Sequence, residues 1–323
     1  MANATVSRLG LVENTGTGFD ALFLKVFSGE VMASFNANTV MKERVRTRNI
    51  SSGKSAQFPA IGKTVAAYHT PGAEINGTAI KHNEKVITID DLLISSAFIA
   101  NLDEAKNHYD VRSEYSTQLG QALAQTYDRN LLSMAIKDCA TPPTAIADQG
   151  TSEQIVQAGV LNMATAANVS TFVGQLYTAA QKLDEKNVPK EDRYAFVSPA
   201  AYYGIVQNDK IVNRDFGGTN GVYSDGTVIN VAGMQVVMTN NLAVNHTSGG
   251  TVDTAANKYG VNASAYLAVV MQKSALGTVE LLSMASEAEY DIRRQGTLMV
   301  SKMAVGHGTL RPECMVAIKN ATS

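Results

Sequence analysis

Two Gly-Lys-Ser/Thr triplets, at residues 53–55 and 62–64, are the residues whose types and spacing most directly suggest chemistry. A phosphate-binding loop has the pattern G-x-x-x-x-G-K-[ST] and opens a helix, because its backbone N–H groups must surround the phosphates. The first glycine of that pattern is replaced by Arg48 in one triplet and by Gln57 in the other. A proline also follows each triplet closely, which disfavours a helix there. The sequence therefore favours chance matches, and a nucleotide hydrolase is kept only as an alternative.

The other reactive side chains do not combine into a recognisable site. His307 lies in a Gly-His-Gly sequence, which is more typical of a tight turn than of a catalytic base. Asp90 and Asp91 have no third metal ligand nearby, so solvated acids at a strand end are favoured. Cys139 and Cys314 form no CxxC pair and indicate reduced, partly buried thiols. We therefore predict no enzyme, metal or cofactor.

The composition is that of a folded protein with no strong charge bias. Hydrophobic residues make up 45 % of the 323 residues, charged residues make up 17 %, and the net charge is −2. Such a chain is long enough for about two domains and is not, as a whole, an electrostatic binder of nucleic acid. We find no signal-peptide pattern and no apolar run of membrane-spanning length, so we expect a protein that is made and kept in a cytosol-like compartment without a membrane.

A basic segment at 41–49 is the clearest charged feature. Lys42, Arg44, Arg46 and Arg48 alternate along it, and an extended chain would place them on one side. Such a row is either a solvated edge or a contact with acidic groups on a partner chain or on nucleic acid. The sequence leaves both interpretations open.

The first ninety residues predict three successive elements. Residues 1–18 are small and polar and indicate a flexible arm, whereas 19–35 have the apolar spacing of an amphipathic helix that includes Phe23 and Phe27. Residues 50–91 indicate a long hairpin with a polar tip, in which Asn76-Gly77 is the turn signal. Because an isolated hairpin is marginal in water, this one must lie against another surface.

The remainder predicts a long helix, a compact α+β block and a β-rich tail. Apolar residues recur every three and four positions within 102–143, and a Pro-Pro pair ends that helix. Residues 150–285 predict a compact domain with helices at 171–187 and 199–209 and several strands. The tail, 287–318, predicts two or three strands with turns at Gln295-Gly296 and Gly306–Gly308. These strands should pair near 86–90 or pack beside the long helix.

Five separated stretches together resemble the major capsid protein of T-seven-like short-tailed phages. They are ALFLKVFSGEV at 21–31, SSGKSAQFP at 51–59, IKHNEKVITID at 80–90, NHYDVRSEYSTQLG at 107–120 and VGHGTLRPE at 305–313. They occur in the family's order over nearly the whole chain, and only the domain pattern agrees between about 140 and 270.

The resemblance implies the Hong Kong 97 capsid fold, an α+β fold. It divides the chain into an N-terminal arm (1–49), an extended-loop hairpin (50–91), a peripheral domain with a spine helix at about 103–140 (92–149 and 286–323) and an axial domain (150–285). It also implies a structural protein that self-assembles as pentamers and hexamers into an icosahedral shell around double-stranded DNA. An encapsulin-like nanocompartment with the same fold is the alternative.

The resemblance further implies where subunits meet and with what the shell works. The expected inter-subunit contacts are Phe23, Phe27, Lys42, Arg44, Arg46, Arg48, Lys54, Lys63 and Lys81. The expected partners are a scaffolding protein, a portal, minor or decoration capsid proteins, and packaged DNA that is contacted without sequence preference on the inner face. The expected location is the virion, after assembly in the cytoplasm of a bacterial host, and no covalent cross-link between loops is expected.

Overall fold

The computed structural model describes residues 21–100, 111–143, 150–208, 221–222, 227–228, 230–242 and 258–320, apart from single residues at 63, 65, 73, 78 and 164. Side chains at 21–29, 111–113 and 221–228 are not described either. The predicted arm at 1–18 and the first part of the predicted long helix, 103–110, therefore lie outside the described residues.

Four α-helices and fourteen strands are found in the described part of the chain. The helices are α1 (Ala21–Asn38), α2 (Val111–Ala140), α3 (Ala166–Glu185) and α4 (Pro199–Val206). The strands are β1 (Arg46–Asn49), β2 (Ser55–Ile61), β3 (His82–Thr88), β4 (Leu93–Ala100), β5 (Glu153–Gln157), β6 (Arg193–Val197), β7 (Gly221–Val222), β8 (Thr227–Val228), β9 (Asn230–Val231), β10 (Met234–Met238), β11 (Tyr266–Gln272), β12 (Leu276–Asp291), β13 (Gly296–Thr309) and β14 (Met315–Asn320). Short 3-10 turns occupy Lys42–Arg44 and Pro312–Cys314.

The chain separates into two compact units. The first comprises the described parts of 1–39, 89–127 and 280–305, and the second comprises those of 40–88, 128–279 and 306–323. The predicted assignment of all of 286–323 to the domain of the long helix is wrong for its last part. Strand β14 pairs with β11 and β5 in the second unit, because its nearly continuous apolar sequence suits a strand inside a sheet.

The first unit packs helices α1 and α2 on strands β12, β13 and β4, which follow one another in that order in the sheet. Its core contains Val31 of α1, Leu119 of α2, Ile99 of β4 and Met299 of β13. Strand β13 pairs with β4 from Gly296↔Ala100 to Met303↔Leu93. The tail therefore pairs mainly with 93–100, slightly later in the chain than the predicted 86–90.

Gly120 explains how closely the two helices of this unit approach each other. A Cβ atom at Gly120 would lie 2.7 Å from the carbonyl oxygen of Val31 and 2.8 Å from Cβ of Ser34. No real side chain tolerates such distances, so glycine allows α1 to contact α2. The Oγ of Ser34 then donates to the carbonyl oxygen of Thr117 at 2.8 Å. The helix predicted over 19–35 is thus found, and it extends to Asn38.

The second unit is built on a six-stranded mixed sheet in the order β5-β14-β11-β6-β10-β9. Every residue of β11 is buried, as expected for an apolar run between two neighbouring strands. Helix α3 buries one stripe at helical spacing, which includes Phe172, Leu176 and Leu183. Pro199 begins α4, and the hydroxyl of Ser198 accepts from the N–H of Ala201 at 3.4 Å, as a helix cap does. The helices predicted at 171–187 and 199–209 are confirmed with shifted ends.

Strands β2 and β3 form the predicted hairpin in the same unit. They pair from Ser55↔Thr88 to Ile61↔His82, and the N–H of Gly62 donates to the carbonyl oxygen of Lys81 at 2.9 Å. The expected tight turn at Asn76-Gly77 is wrong. The described turn lies at Pro71-Gly72, where Gly72 has a φ of 88°, whereas Gly77 is not among the residues with positive φ.

The turn predicted at Gly306–Gly308 is also wrong, because these residues lie within β13. A Cβ atom at Gly308 would lie 2.5 Å from Cγ1 of Ile87 in the hairpin. Glycine is therefore required there by the close approach of a buried side chain, which a sequence pattern alone cannot distinguish from a turn. The turn predicted at Gln295-Gly296 is confirmed by the connection between β12 and β13.

Candidate interaction surface

The predicted basic segment does not form one extended row. Lys42 and Arg44 lie in a 3-10 turn, and only Arg46 and Arg48 lie on strand β1. The prediction that all four cations share one side through an extended conformation is therefore wrong. The turn arises because the chain is held at residues 40 and 41, immediately before it.

Asp128 of α2 holds the start of this segment. Its Oδ2 accepts from the N–H of Val40 at 2.7 Å, and its Oδ1 accepts from the N–H of Met41 at 3.0 Å. The Asp128 side chain is completely buried. Burial raises its pKa to about 6, although these N–H groups, Asn241 and the charge of Arg44 act in the opposite direction. This carboxylate was missed by sequence reasoning, since nothing local distinguishes it from other acids on a long helix.

Arg44 is used inside the subunit. Its Nη1 donates to the carbonyl oxygen of Val40 at 2.5 Å, and its guanidinium carbon lies 5.4 Å from the ring centroid of Tyr194. A cation over an aromatic face is attracted by the ring quadrupole. These contacts assign Arg44 to holding the turn against strand β6, which leaves little of it for the predicted contact with a neighbour.

Arg48 is also engaged within its own chain. Its Nη1 donates to the carbonyl oxygen of Gln57 at 2.6 Å, and its guanidinium carbon lies 5.7 Å from the ring centroid of Phe58. Both partners belong to β2. Arg48 therefore joins β1 to the base of the hairpin.

A cavity of about 310 Å³ lies at the base of the hairpin, beside Arg46. Its cations are Arg46, Lys85 of β3 and Arg311, which follows β13. Its apolar wall includes Phe58 and Leu310. An apolar pocket with a few convergent charges is the usual form of a specific binding site. Lys85 and Arg311 were not among the predicted contacts, because they meet only when the hairpin folds onto the tail.

The charges around this cavity are only partly compensated. Nε of Arg311 donates to Oε1 of the buried Glu313 at 2.9 Å. Lys85 attracts Asp138, a carboxyl whose pKa is raised by burial and lowered by a hydrogen bond from Thr309. Arg46 has no hydrogen bond or ion pair among the described residues. The cavity therefore offers one uncompensated guanidinium beside apolar side chains.

The hairpin beyond this cavity presents apolar side chains to solvent. Tyr68 is fully exposed, Ile75 is 79 % exposed and Ile61 is 56 % exposed. Lys54 and Lys81 of the predicted set are exposed here too. Lys63 lies outside the described residues, and so do the side chains of Phe23 and Phe27. Exposed apolar groups that occur together mark an interaction surface more than chance does.

The sites considered for catalysis have other roles. Residues 53–55 lead directly into strand β2, and the described residues after 62 form no helix, so neither triplet has the setting of a phosphate loop. His307 is buried in β13 with Nδ1 3.0 Å from Oγ1 of Thr278, and burial lowers its pKa to about 3. Its imidazole is thus uncharged at neutral pH. Among the described residues, no cluster of His, Cys, Asp or Glu could hold a metal ion.

The two cysteines are buried and free, and burial raises the pKa of both thiols. None of the described helices combines the length and apolar character required to cross a membrane.

Comparison with known proteins identifies the family. A sequence profile described as "Gp10A-like: Major capsid protein" matches residues 57–319. The major capsid protein of Escherichia phage T7 is 35 % identical over 92 % of this chain and 91 % of its own. The chain belongs to the major capsid protein family of phages. This membership implies a structural, shell-forming role and a location in the virion, and it favours a phage shell over an encapsulin-like nanocompartment.

Solved capsid structures agree with this assignment. The capsid protein of cyanophage P-SCSP1u is 43 % identical over the full length of both chains, with a TM-score of 0.72. The mature capsid of bacteriophage PhiM1 has a TM-score of 0.73 at 18 % identity over 88 % of each chain, which shows the shared fold. The predicted Hong Kong 97-like fold is confirmed for this capsid chain.

Proposed function

We propose that this capsid chain self-assembles as pentamers and hexamers into an icosahedral shell that encloses double-stranded DNA. The observation that carries the proposal is the 35 % identity to a phage major capsid protein over 92 % of the chain. No phosphate loop or metal cluster in the described residues supports the hydrolase alternative.

The four-part division of the chain is part of this proposal. Residues 1–49 act as an arm and 50–91 as the extended loop. Residues 92–149 and the tail up to about 305 form a peripheral domain, and 150–285 with β14 form an axial domain. The pairing of β14 with β11 supports moving the last strand to the axial sheet.

The hairpin is the main contact between subunits in this proposal. Its two strands form a sheet of their own, so both outer edges lack a strand partner. Open edges and exposed apolar residues are liabilities in a monomer and are resolved when another chain covers them. We infer that each subunit places its hairpin on a neighbouring subunit. Many modest contacts around a closed shell then give high combined affinity.

Charged contacts supplement this apolar surface. Lys54 and Lys81 extend from the hairpin, and Lys63 belongs to the same arm, so all three are proposed to meet acids of the adjoining subunit. Arg46 is the member of the basic segment best placed for such a contact. Arg44 and Arg48 support it indirectly, by fixing the segment within the subunit.

The proposal includes the partners that a phage shell requires. A scaffolding protein, a portal and minor or decoration capsid proteins would join the shell in the cytoplasm of a bacterial host. The packaged DNA would meet the inner face through phosphate contacts without base recognition. The protein would make no contact with a membrane.

Electron microscopy of the purified protein, expressed with and without a scaffolding protein, tests the proposal. We expect closed icosahedral particles of uniform size. A matched variant in which residues 62–81 are replaced by a short turn should yield folded subunits but no closed particles. Uniform small monomers from the unaltered chain under all conditions would contradict the proposal.

A further inference from the structure

The hairpin between β12 and β13 carries charge and apolar surface that complement the cavity at Arg46. Glu287 pairs with Lys302 at 2.8 Å, and Asp291 lies 3.7 Å from Arg294. Glu289 is exposed and has no hydrogen bond or ion pair among the described residues. One uncompensated carboxylate is thus available on this hairpin, as one uncompensated guanidinium is available at the cavity.

Exposed apolar residues flank this carboxylate. Tyr290 is 45 % exposed, and Ile292, in the turn itself, is 72 % exposed. The cavity at Arg46 has apolar walls that include Phe58 and Leu310. Its volume of about 310 Å³ is near the lower limit of ligand sites, so it admits a few side chains and not a whole folded element.

The turn is already ordered for such an insertion. The N–H of Arg294 donates to the carbonyl oxygen of Asp291 at 3.2 Å, and Nε2 of Gln295 donates to the carbonyl oxygen of Ile292 at 2.7 Å. A preformed turn loses less conformational freedom on binding than a segment without regular structure. This favours Glu289 over Glu74, which lies beside the exposed Ile75 in the connection between β2 and β3.

We propose that the β12–β13 turn of one copy of this chain inserts into the cavity of another copy, where Glu289 pairs with Arg46. The exposed Ile292 then lies against the apolar wall, and the guanidinium of Arg46 is neutralised. A bidentate Arg–carboxylate pair gives directional as well as electrostatic recognition. This contact rests on the proposed shell, because it needs a second copy at close range.

Zero-length cross-linking of assembled particles tests the contact. The variant Arg46→Lys provides an amine that a carbodiimide joins to a touching carboxylate. Particles assembled from equal amounts of ¹⁴N- and ¹⁵N-labelled chains distinguish links between copies from links within one chain. We expect a peptide pair joining position 46 to Glu289, with mixed isotopic labels in about half of the pairs, as random mixing of two copies gives.

Two controls make the result decisive. The double variant Arg46→Lys with Glu289→Gln should lose this link while still forming particles. Charge reversal at Arg46→Glu should reduce particle yield at least tenfold, and adding Glu289→Lys should restore it. Lys190→Glu, a reversal of an exposed lysine elsewhere, should leave the yield unchanged.

Other outcomes would overturn the contact. Links from position 46 to Glu74 or Asp91 would assign a different segment of the chain to the cavity. Closed particles without any link to Glu289, or with the link only inside single-label chains, would exclude this contact and leave the shell intact. A failure of the unaltered chain to form closed particles would overturn the shell function and this contact together.

Discussion

The six-stranded sheet and the β2–β3 hairpin belong to the same unit but are stabilised in different ways. All seven residues of β11 are buried, with a neighbouring strand on each side. In the hairpin, Ala56 and Ile87 are the buried residues of β2 and β3, and both outer edges are open. The sheet therefore holds its structure by itself, whereas the hairpin needs another surface. A shell protein gains from this difference, because the exposed part is what joins the copies.

The largest effect should follow from damage to the self-sufficient region. Phe196 of β6 is completely buried, and Phe196→Ala removes most of its side chain from a packed core. We expect the free energy of unfolding of the unassembled subunit to fall by about 3–5 kcal/mol. Chemical denaturation followed by fluorescence or circular dichroism measures it. The matched variant Tyr68→Ala in the hairpin should change subunit stability by less than about 0.5 kcal/mol.

The segment that leads into the hairpin should be next in sensitivity. Asp128→Ala leaves the N–H groups of Val40 and Met41 without their acceptor. An unsatisfied buried donor costs about 1–3 kcal/mol, partly offset here by removal of a buried charge, so we expect a loss of about 2 kcal/mol. Faster hydrogen exchange at these two amides should accompany the loss. Unchanged exchange at residues 40 and 41 would contradict the assigned role.

The root and the extension of the hairpin should differ in a single pair of glycine substitutions. Gly308→Ala forces a Cβ against Ile87 and should destabilise the subunit by about 1–3 kcal/mol through overpacking. Gly77→Ala meets no atom within 4 Å and should be nearly neutral. Adding Ile87→Val to Gly308→Ala should recover part of the loss. Equal thermal denaturation midpoints for the two single variants would remove the distinction between root and extension.

The smallest of these effects is a pH dependence at Asp128. Burial raises its pKa from 3.8 to about 6, so the folded subunit binds this proton more tightly than the unfolded chain does. The resulting stabilisation is complete below about pH 4 and is lost as the pH rises through about 6. Between pH 7.5 and 5.0, the wild-type subunit should gain about 1 kcal/mol relative to Asp128→Asn. Parallel denaturation curves at the two pH values measure this difference, and a gain in the opposite direction would contradict it.

Sequence patterns predicted the elements whose signals are local. The apolar run of β11, the helical stripe of α3 and the strand pairing at 55–61 and 82–88 follow from periodicity. The Gly-His-Gly segment was misassigned because a glycine needed for contact with Ile87 has the same sequence signal as a glycine in a turn. Only the folded chain distinguishes the two.

The candidate site was predicted only in part, for a related reason. Arg46 was identified from the alternating basic segment, but Lys85 and Arg311 join it from distant parts of the chain. Arg44 was assigned to a neighbour, although the ring of Tyr194 and the carbonyl of Val40 engage it within the subunit. A row of charges in a sequence does not show which members are already compensated. Compensation depends on tertiary contacts, which leave Arg46 as the available cation.

The central claim is that a neighbouring copy covers the exposed hairpin in the shell, and thiol accessibility at position 68 tests it most directly. Cys139 and Cys314 are buried, so Tyr68→Cys adds one reactive thiol to a quiet background. We predict rapid maleimide labelling in unassembled subunits and labelling at least tenfold slower in closed particles verified by electron microscopy. Equal labelling rates in subunits and closed particles would contradict the account.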